Sequence, residues 1–425
     1  MNKFMDWLDR HLMPVAARIG AQRHLTALRR SFLMIIPLIL AGSIFTLIPS
    51  IYGLTELFAP IAPAFQLAND VTFGLLSIWL CIAFAFYLAS SYKIHEIIVT
   101  ILAVVCLFLT AAKMQVIEGA TLYPIQFLGT YGMFGSLFCA LYAVEFYRLL
   151  MKKGVYFKSP KGVPEGIGKF IEAMVPAFII ILPIWLLSIN GLYISQIIGK
   201  LAAPLFKASD TYWAILGAAF LENFTWYIGV HSWAGIGPAY FPFLISNGVE
   251  NASAYAAGQP MPWKNTISTY FGSGAGGTGN HFALGLFGLF SKSKTIRTVA
   301  RAGIIPLAFG INEPILFGYP VILNPVYFIP HCILAPFTRT LPWILITLGI
   351  VQRASVPFIG FVPPGFIWFL GTPQDWTVLL WAWFGGIILP AIIYYPFFKM
   401  NEKQALALEA EEEASNPQLS EGAPA

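Results

Sequence analysis

Residues 310–325 read GINEPILFGYPVILNP. A carboxylate, Glu313, stands beside an amide, Asn312, in an apolar run interrupted by Pro314, Pro320 and Pro325. A proline disfavours the α conformation in the residue before it. The stretch therefore predicts a carboxylate at the tip of a non-helical hairpin. The rest of the chain is just as apolar: 57% of its 425 residues are hydrophobic and 11% charged, against about 25% charged in an ordinary soluble domain. So few charges cannot cover a soluble surface, and disorder needs the opposite composition. The fold class expected is an all-α polytopic membrane protein. Irregular backbone at membrane depth survives only where it is buried in protein or lines a cavity, and interrupted apolar segments point to a transporter's binding site.

Outward from that stretch, 221–280, 301–325 and 352–375 are rich in Gly, Pro, Asn, Ser and Trp. Cleaner spans are expected at 31–51, 71–91, 97–112, 123–150, 170–189, from about 212, at 326–350 and at 376–398. In all we expect about ten transmembrane helices, two re-entrant hairpins, and amphipathic surface helices at 1–30 and 191–208. Six basic residues precede the first span (Lys3, Arg10, Arg18, Arg23, Arg29, Arg30), six more fall between Arg148 and Lys169, and four between Lys292 and Arg301. A lysine and arginine excess in short loops marks the cytoplasmic side, so both termini are expected there. No small-residue cleavage site precedes 31, so no signal peptide is expected. The expected division is 1–30, a helix on the cytoplasmic face; 31–210, an N-terminal half; 211–400, a substrate-binding half; and 401–425, an acidic, partly disordered tail.

The composition and motifs exclude several classes. Basic clusters alternating with apolar spans do not make a nucleic-acid face. Cys81, Cys106, Cys139 and Cys332 form no CxxC and read as small buried hydrophobes. No metal-ligand spacing is present, so neither a metal nor a cofactor is expected. FGSGAGGTGNHFAL (271–284) lacks the ending of a phosphate loop, and no serine-nucleophile elbow exists.

Only six acidic residues lie between 171 and 398: Glu172, Asp210, Glu222, Glu250, Glu313 and Asp375. An ionisable side chain inside the bilayer is a functional candidate by default. Glu313 reads as a sugar or proton ligand, or else as a cap on a broken helix. In ENFTWYIGVHSW (222–233), His231 lies among Trp226, Tyr227 and Trp233; aromatic faces suit the C–H faces of a sugar while polar groups read its hydroxyls. The alternative is a satisfied core histidine, and Glu222 reads as a structural hydrogen-bond partner. In 271–284 the glycines allow close approach of a ligand or of another helix, and Thr278 and Asn280 can offer a hydroxyl and an amide. His281 faces either way; His11, His24, His95 and His331 read as structural or interfacial.

NEPILFG (312–318) with the following NP (324–325), WYIGVHSW (226–233), GGTG (276–279) and HLMPVAARIGAQRHLTALRRSF (11–32) together resemble the membrane subunit, enzyme IIC, of the sugar phosphotransferase system, in its lactose/cellobiose/diacetylchitobiose branch. The resemblance spans nearly the whole chain. It implies a bacterial inner-membrane homodimer, with dimer contacts in the N-terminal half and a β-linked disaccharide held between re-entrant hairpins in the C-terminal half. The sugar's 6-hydroxyl is then phosphorylated by a cytoplasmic EIIB phosphocysteine. The resemblance puts Glu313 and His231 at the reacting sugar, with Trp226, Thr278, Gly279, Asn280, Asn312 and Phe361 as further substrate contacts. Three features depart from the family pattern: Ser232 replaces a glycine after the histidine, GFVPPG (360–365) puts Phe361 where a tryptophan is usual, and the glycine stretch runs into NHF.

A carboxylate at the 6-hydroxyl can take its proton or orient it, and an imidazole can stabilise charge on the transferring phosphoryl group. No soluble lobe or cysteine stands in 1–30 or 401–425, so the phosphoryl donor is expected on another polypeptide. An ion-coupled sugar transporter with Glu313 as proton site, and a non-transporting sensor on the same fold, are the competing expectations.

Overall fold

The computed structural model describes residues 22–50, 59–72, 74–117, 119–124, 127–129, 132–160, 162–229, 231–232, 236–319 and 321–415. The expected surface helix at 1–30 lies outside these residues up to 21, as do Trp233, Pro320 and the tail beyond Ser415. The described chain falls into two compact units. One holds the residues up to Ser209 and Pro238–Pro260; the other holds Asp210–Gly237 and Met261 onward. Residues 238–260 thus fold with the first unit.

The first unit contains α1 (Arg23–Ser50), α2 (Ala62–Thr72), α3 (Leu76–Tyr92), α4 (Glu96–Ala111), α5 (Met133–Lys152), α6 (Glu165–Ile189) and α7 (Ile194–Ser209). The strands Gln115–Ile117 and Ala120–Leu122 form an antiparallel hairpin after α4, a small addition to the all-α expectation. The turn after α3 forms because Lys93 takes a left-handed C-cap conformation (φ 57°) and its N–H returns to Ser90 O. Small residues make the core: Ala85, Ala89, Ala103, Ala140 and Ala143 are buried with Cys81, Cys106 and Cys139. Small side chains let helices in lipid approach closely. A Cβ on Gly135 would sit 2.4 Å from Ser195 Oγ. Phe170, Met174, Phe178, Trp185 and Ile189 form an exposed apolar stripe on α6, as a lipid-facing helix requires. Five helical stretches among the described residues are long and apolar enough to cross a membrane: Asp70–Tyr92, Met133–Lys152, Gly166–Ile189, Pro325–Thr347 and Val378–Glu411.

The second unit begins with α8 (Tyr212–Tyr227), and α9 (Gly237–Ala256) follows it in sequence. Its elements are then short: α10 (Ile267–Gly272), α11 (Phe282–Leu289), α12 (Lys294–Ala308) and α13 (Glu313–Gly318). A helical turn at Pro325–Tyr327 leads through a π-helical stretch, Phe328–Leu334, into α14 (Ala335–Thr347). After α15 (Phe366–Gly371) and α16 (Val378–Trp383), a second π-helical stretch joins α17 (Leu389–Ser415). A reciprocal Thr266–Thr269 capping box starts α10, which packs on α15 so closely that a Cβ on Gly272 would meet Trp368 N at 2.3 Å.

The acidic tail is described as far as Ser415. Helix α17 runs unbroken to Ser415, and its carboxylates dock. Glu402 accepts from the Ser291 hydroxyl (2.7 Å) and Lys292 N–H (2.8 Å). Glu409 accepts from the Ser293 hydroxyl (2.7 Å) and from Lys294 and Thr295 N–H (3.2 and 2.8 Å). The Lys294 and Thr295 N–H groups belong to the first turn of α12, where a helix has free donors and a positive dipole end; Lys292 lies just before it.

Candidate functional site

The second unit gathers most of the residues singled out in the sequence. Helix α13 begins at Glu313, with Pro314 in its first turn. This corrects the expected non-helical hairpin: a proline is tolerated anywhere in the first turn of a helix, where the N–H it lacks would have no intrahelical partner. Asn312, the residue before the helix, makes no side-chain cap. Its Nδ2 instead donates to Thr278 O at 2.7 Å. The glycine stretch makes that reach possible, because a Cβ on Gly277 (φ 72°) would lie 2.7 Å from Gly310 O and 2.8 Å from Asn312 Cγ.

His231 lies just past α8, in a loop tied to the segment after α13 by Leu323 N–H donating to Tyr227 O (3.0 Å). This crossing accompanies the approach of His231 Nε2 to within 3.9 Å of Glu313 Oε1, with both side chains nearly half exposed. At that separation the two groups can share one ligand oxygen between them. The ring of Trp226 lies behind His231, centroids 4.4 Å apart, and its indole N–H donates to Ser232 Oγ at 3.1 Å. Trp226 is buried in the core with Leu284, Ile315 and Leu316; it supports His231, and its own face is largely covered.

The remaining expected contacts divide. Thr278 turns its hydroxyl to Glu222 Oε1 (2.9 Å), while Tyr270 donates to Glu222 Oε2 (2.9 Å). Glu222 is buried and has the hydrogen-bonding role expected of it. Asn280 is buried with both amide ends engaged: Ala275 N–H donates to its Oδ1 (3.2 Å) and its Nδ2 donates to Thr338 Oγ1. Its left-handed backbone (φ 56°) turns the chain into α11. Gly279 packs against His331, and its carbonyl accepts from Tyr394 OH at 2.8 Å. Phe361 is 76% exposed, and among the described residues its ring meets no other aromatic ring.

Sequence reasoning missed two features beneath the site. His281 and His331 are both buried and lie nearly parallel (22° between ring planes), centroids 4.9 Å apart, with Nε2 of the first 3.0 Å from Nδ1 of the second. Arg339 is buried too, its Nη1 donating to Tyr270 O (2.9 Å) and Phe271 O (3.3 Å) at the end of α10. An arginine after two spans' length of apolar sequence was the available signal for the second. Among the described residues no group of three His, Cys, Asp or Glu side chains could hold a metal.

The sequence model of the family described as "Phosphotransferase system, EIIC" matches residues 29–336, which include α13, the glycine stretch and the His231 loop. The chain belongs to the phosphotransferase-system EIIC family. Among EIIC proteins it is 30% identical to the putative permease IIC component YwbA of Bacillus subtilis, over 95% of this chain and 96% of that one. It is 34% identical to the lactose-specific EIICB component of Streptococcus mutans, over 96% of this chain and 74% of the relative. Its structure is similar to the crystal structure of the transporter ChbC, the IIC component of the N,N'-diacetylchitobiose-specific phosphotransferase system, with a TM-score of 0.88, 26% identity and coverage of 95% and 99% of the two chains. EIIC components are membrane permeases that work with a sugar and an EIIB partner.

Proposed function

We propose that this EIIC chain binds a β-linked disaccharide, of the cellobiose or diacetylchitobiose type, and carries it across the bacterial inner membrane. There it presents the 6-hydroxyl to a phosphocysteine on a separate cytoplasmic EIIB. The approach of Glu313 to His231, 3.9 Å apart though far apart in sequence, carries this reading. The carboxylate orients the hydroxyl and accepts its proton; the imidazole, backed by Trp226, faces the charge that gathers on the phosphoryl oxygens. Asn312 adds a hydrogen-bonding group beside Glu313, and Phe361 supplies an exposed ring for a sugar face. A phosphorylated product is an anion in a site built for a neutral sugar, which favours release on the cytoplasmic side.

The proposed architecture has about ten crossings, with the short helices α10 and α15 at the tips of two re-entrant hairpins. Both termini lie in the cytoplasm, and two copies pair through the N-terminal half. The basic clusters around Arg148–Lys169 and Lys292–Arg301 support this orientation. The test is a thermal-shift screen of cellobiose, lactose and diacetylchitobiose on the purified protein, followed by phosphorylation with EIIB and its relay. Stabilisation by at least one sugar and relay-dependent sugar phosphate are expected. Accumulation of free sugar in cells lacking the relay would overturn the reading in favour of ion-coupled transport.

A further inference from the structure

Beneath the Asn312–Glu313 pair runs a hydrogen-bond chain whose direction is fixed at both ends. At its inner end, His331 Nε2 lies 3.0 Å from Asn223 O. A backbone carbonyl only accepts, so this nitrogen carries the proton. With a neutral ring, His331 Nδ1 is then bare and accepts from His281 Nε2–H across 3.0 Å. His281 Nδ1 is bare in turn, and lies 3.3 Å from Asn312 Nδ2. At the outer end Asn312 Nδ2 also faces Thr278 O at 2.7 Å. Turning the amide over would set oxygen against oxygen there, so Thr278 fixes which end of the amide is nitrogen. Both hydrogens of that nitrogen are spent inside the protein. A proton on His281 Nδ1 would face the Asn312 N–H, so the chain holds only with both rings neutral and both protonated at Nε2.

The consequence falls on the sugar site. Asn312 has only its Oδ1 left, and among the described residues nothing donates to that oxygen. Beside it stands Glu313, an acceptor when ionised. We propose that the His281–His331 pair is a positioning device that, together with the Thr278 carbonyl, holds the Asn312 amide, so that neighbouring positions 312 and 313 present acceptors only and select a sugar by two hydroxyls that donate. The inference rests on the sugar-binding reading above and adds the polarity of the contact. The backbone is shaped to allow it: a Cβ on Gly279 (φ 87°) would lie 2.4 Å from His331 Nδ1 and 2.7 Å from His281 Nε2.

Two measurements test it. Nitrogen-15 NMR of histidine-labelled wild-type protein, with the signals assigned through His281→Asn and His331→Asn, is expected to show both rings neutral and protonated at Nε2. A charged ring, or a proton on Nδ1 of either, overturns the proposal whether or not any sugar binds. The second measures binding of cellobiose and its monodeoxy and monodeoxyfluoro analogues. Fluorine can accept but cannot donate. At the hydroxyl that meets Asn312, the deoxy and the fluoro analogue should therefore bind wild type equally poorly, about tenfold below cellobiose. In His281→Phe the amide nitrogen keeps only its Thr278 partner, so the amide is held less firmly: cellobiose should bind severalfold more weakly, while the deoxy analogue, which does not use the Asn312 oxygen, should bind as it does to wild type. If fluorine substitutes for every hydroxyl in wild type, or if a folded His281→Phe protein keeps the wild-type preference for cellobiose over that deoxy analogue, the positioning role is wrong. If cellobiose and its analogues all fail to bind, the choice of sugar in the proposed function fails, while the NMR result still decides the histidine chain.

Discussion

Gly279→Ala should damage this protein more than its backbone angle alone explains. Gly279 has φ +87°, and a Cβ there would stand 2.4 Å from His331 Nδ1, 2.6 Å from His331 Cε1 and 2.7 Å from His281 Nε2. Placing alanine in the left-handed region costs about 1–2 kcal/mol. Pushing the rings apart breaks a buried hydrogen bond worth about 1 kcal/mol and leaves the His281 N–H unpaired, at about 1–3 kcal/mol more. The expected loss is roughly 3–6 kcal/mol. Gly349 is the control: it has φ +70° with nothing within 4 Å of its added Cβ, so Gly349→Ala carries only the backbone strain of about 1–2 kcal/mol. Thermal unfolding of both variants in the same detergent reads the difference. Gly279→Ala should melt several degrees below Gly349→Ala and lose sugar-induced stabilisation. Equal melting points would refute the claim that the two histidines meet under this glycine.

Other outcomes follow from the same geometry. Glu313→Gln keeps the shape but removes the base, so phosphorylation should fall by about 10²–10⁴-fold while sugar affinity changes less than about tenfold; intact turnover would exclude Glu313 from the proton transfer. Ser232→Ala leaves the buried Trp226 indole N–H without its 3.1 Å acceptor, which should destabilise by about 1–3 kcal/mol, with Ser232→Thr restoring most of it; an unchanged melting point for the alanine variant would count against that bond. Burial pushes the Asp210 carboxyl up from 3.8 to about 6, against two backbone N–H groups, of Asn265 and Lys264, that favour the anion. The folded protein then binds this proton more readily than the unfolded chain, so the contribution is fully present below about pH 4 and is lost as pH rises through 6, by up to about 3 kcal/mol. Asp210→Asn should flatten that dependence and raise the melting point at pH 7; an unaltered pH profile would contradict it.

The helices of the first unit were legible because lipid demands long apolar runs, and α4 and α6 begin within a few residues of the spans expected at 97 and 170. Composition shows that Glu402 and Glu409 are acidic and polar, but not that Ser291, Lys292 and the first turn of α12 receive them. Glu313 stands out in the sequence, but its conformation does not follow from the residue after it: the bias against α before a proline is a preference that the first turn of α13 overrides at Glu313. The pairing of Glu313 with His231 followed from a family resemblance; neither stretch alone names its partner. The histidine pair was hidden for a similar reason: His331 sits in a plain apolar span, and only the fold lays it against His281. Asn280 looked like a ligand amide, and the left-handed turn at that position directs it inward to Thr338 instead.

A structure of the purified protein with a bound disaccharide gives the decisive distances, from the nearest sugar oxygen to Glu313 Oε1 and to His231 Nε2. One sugar hydroxyl is expected within about 3.2 Å of both. A disaccharide bound in the second unit with neither side chain in contact would contradict it.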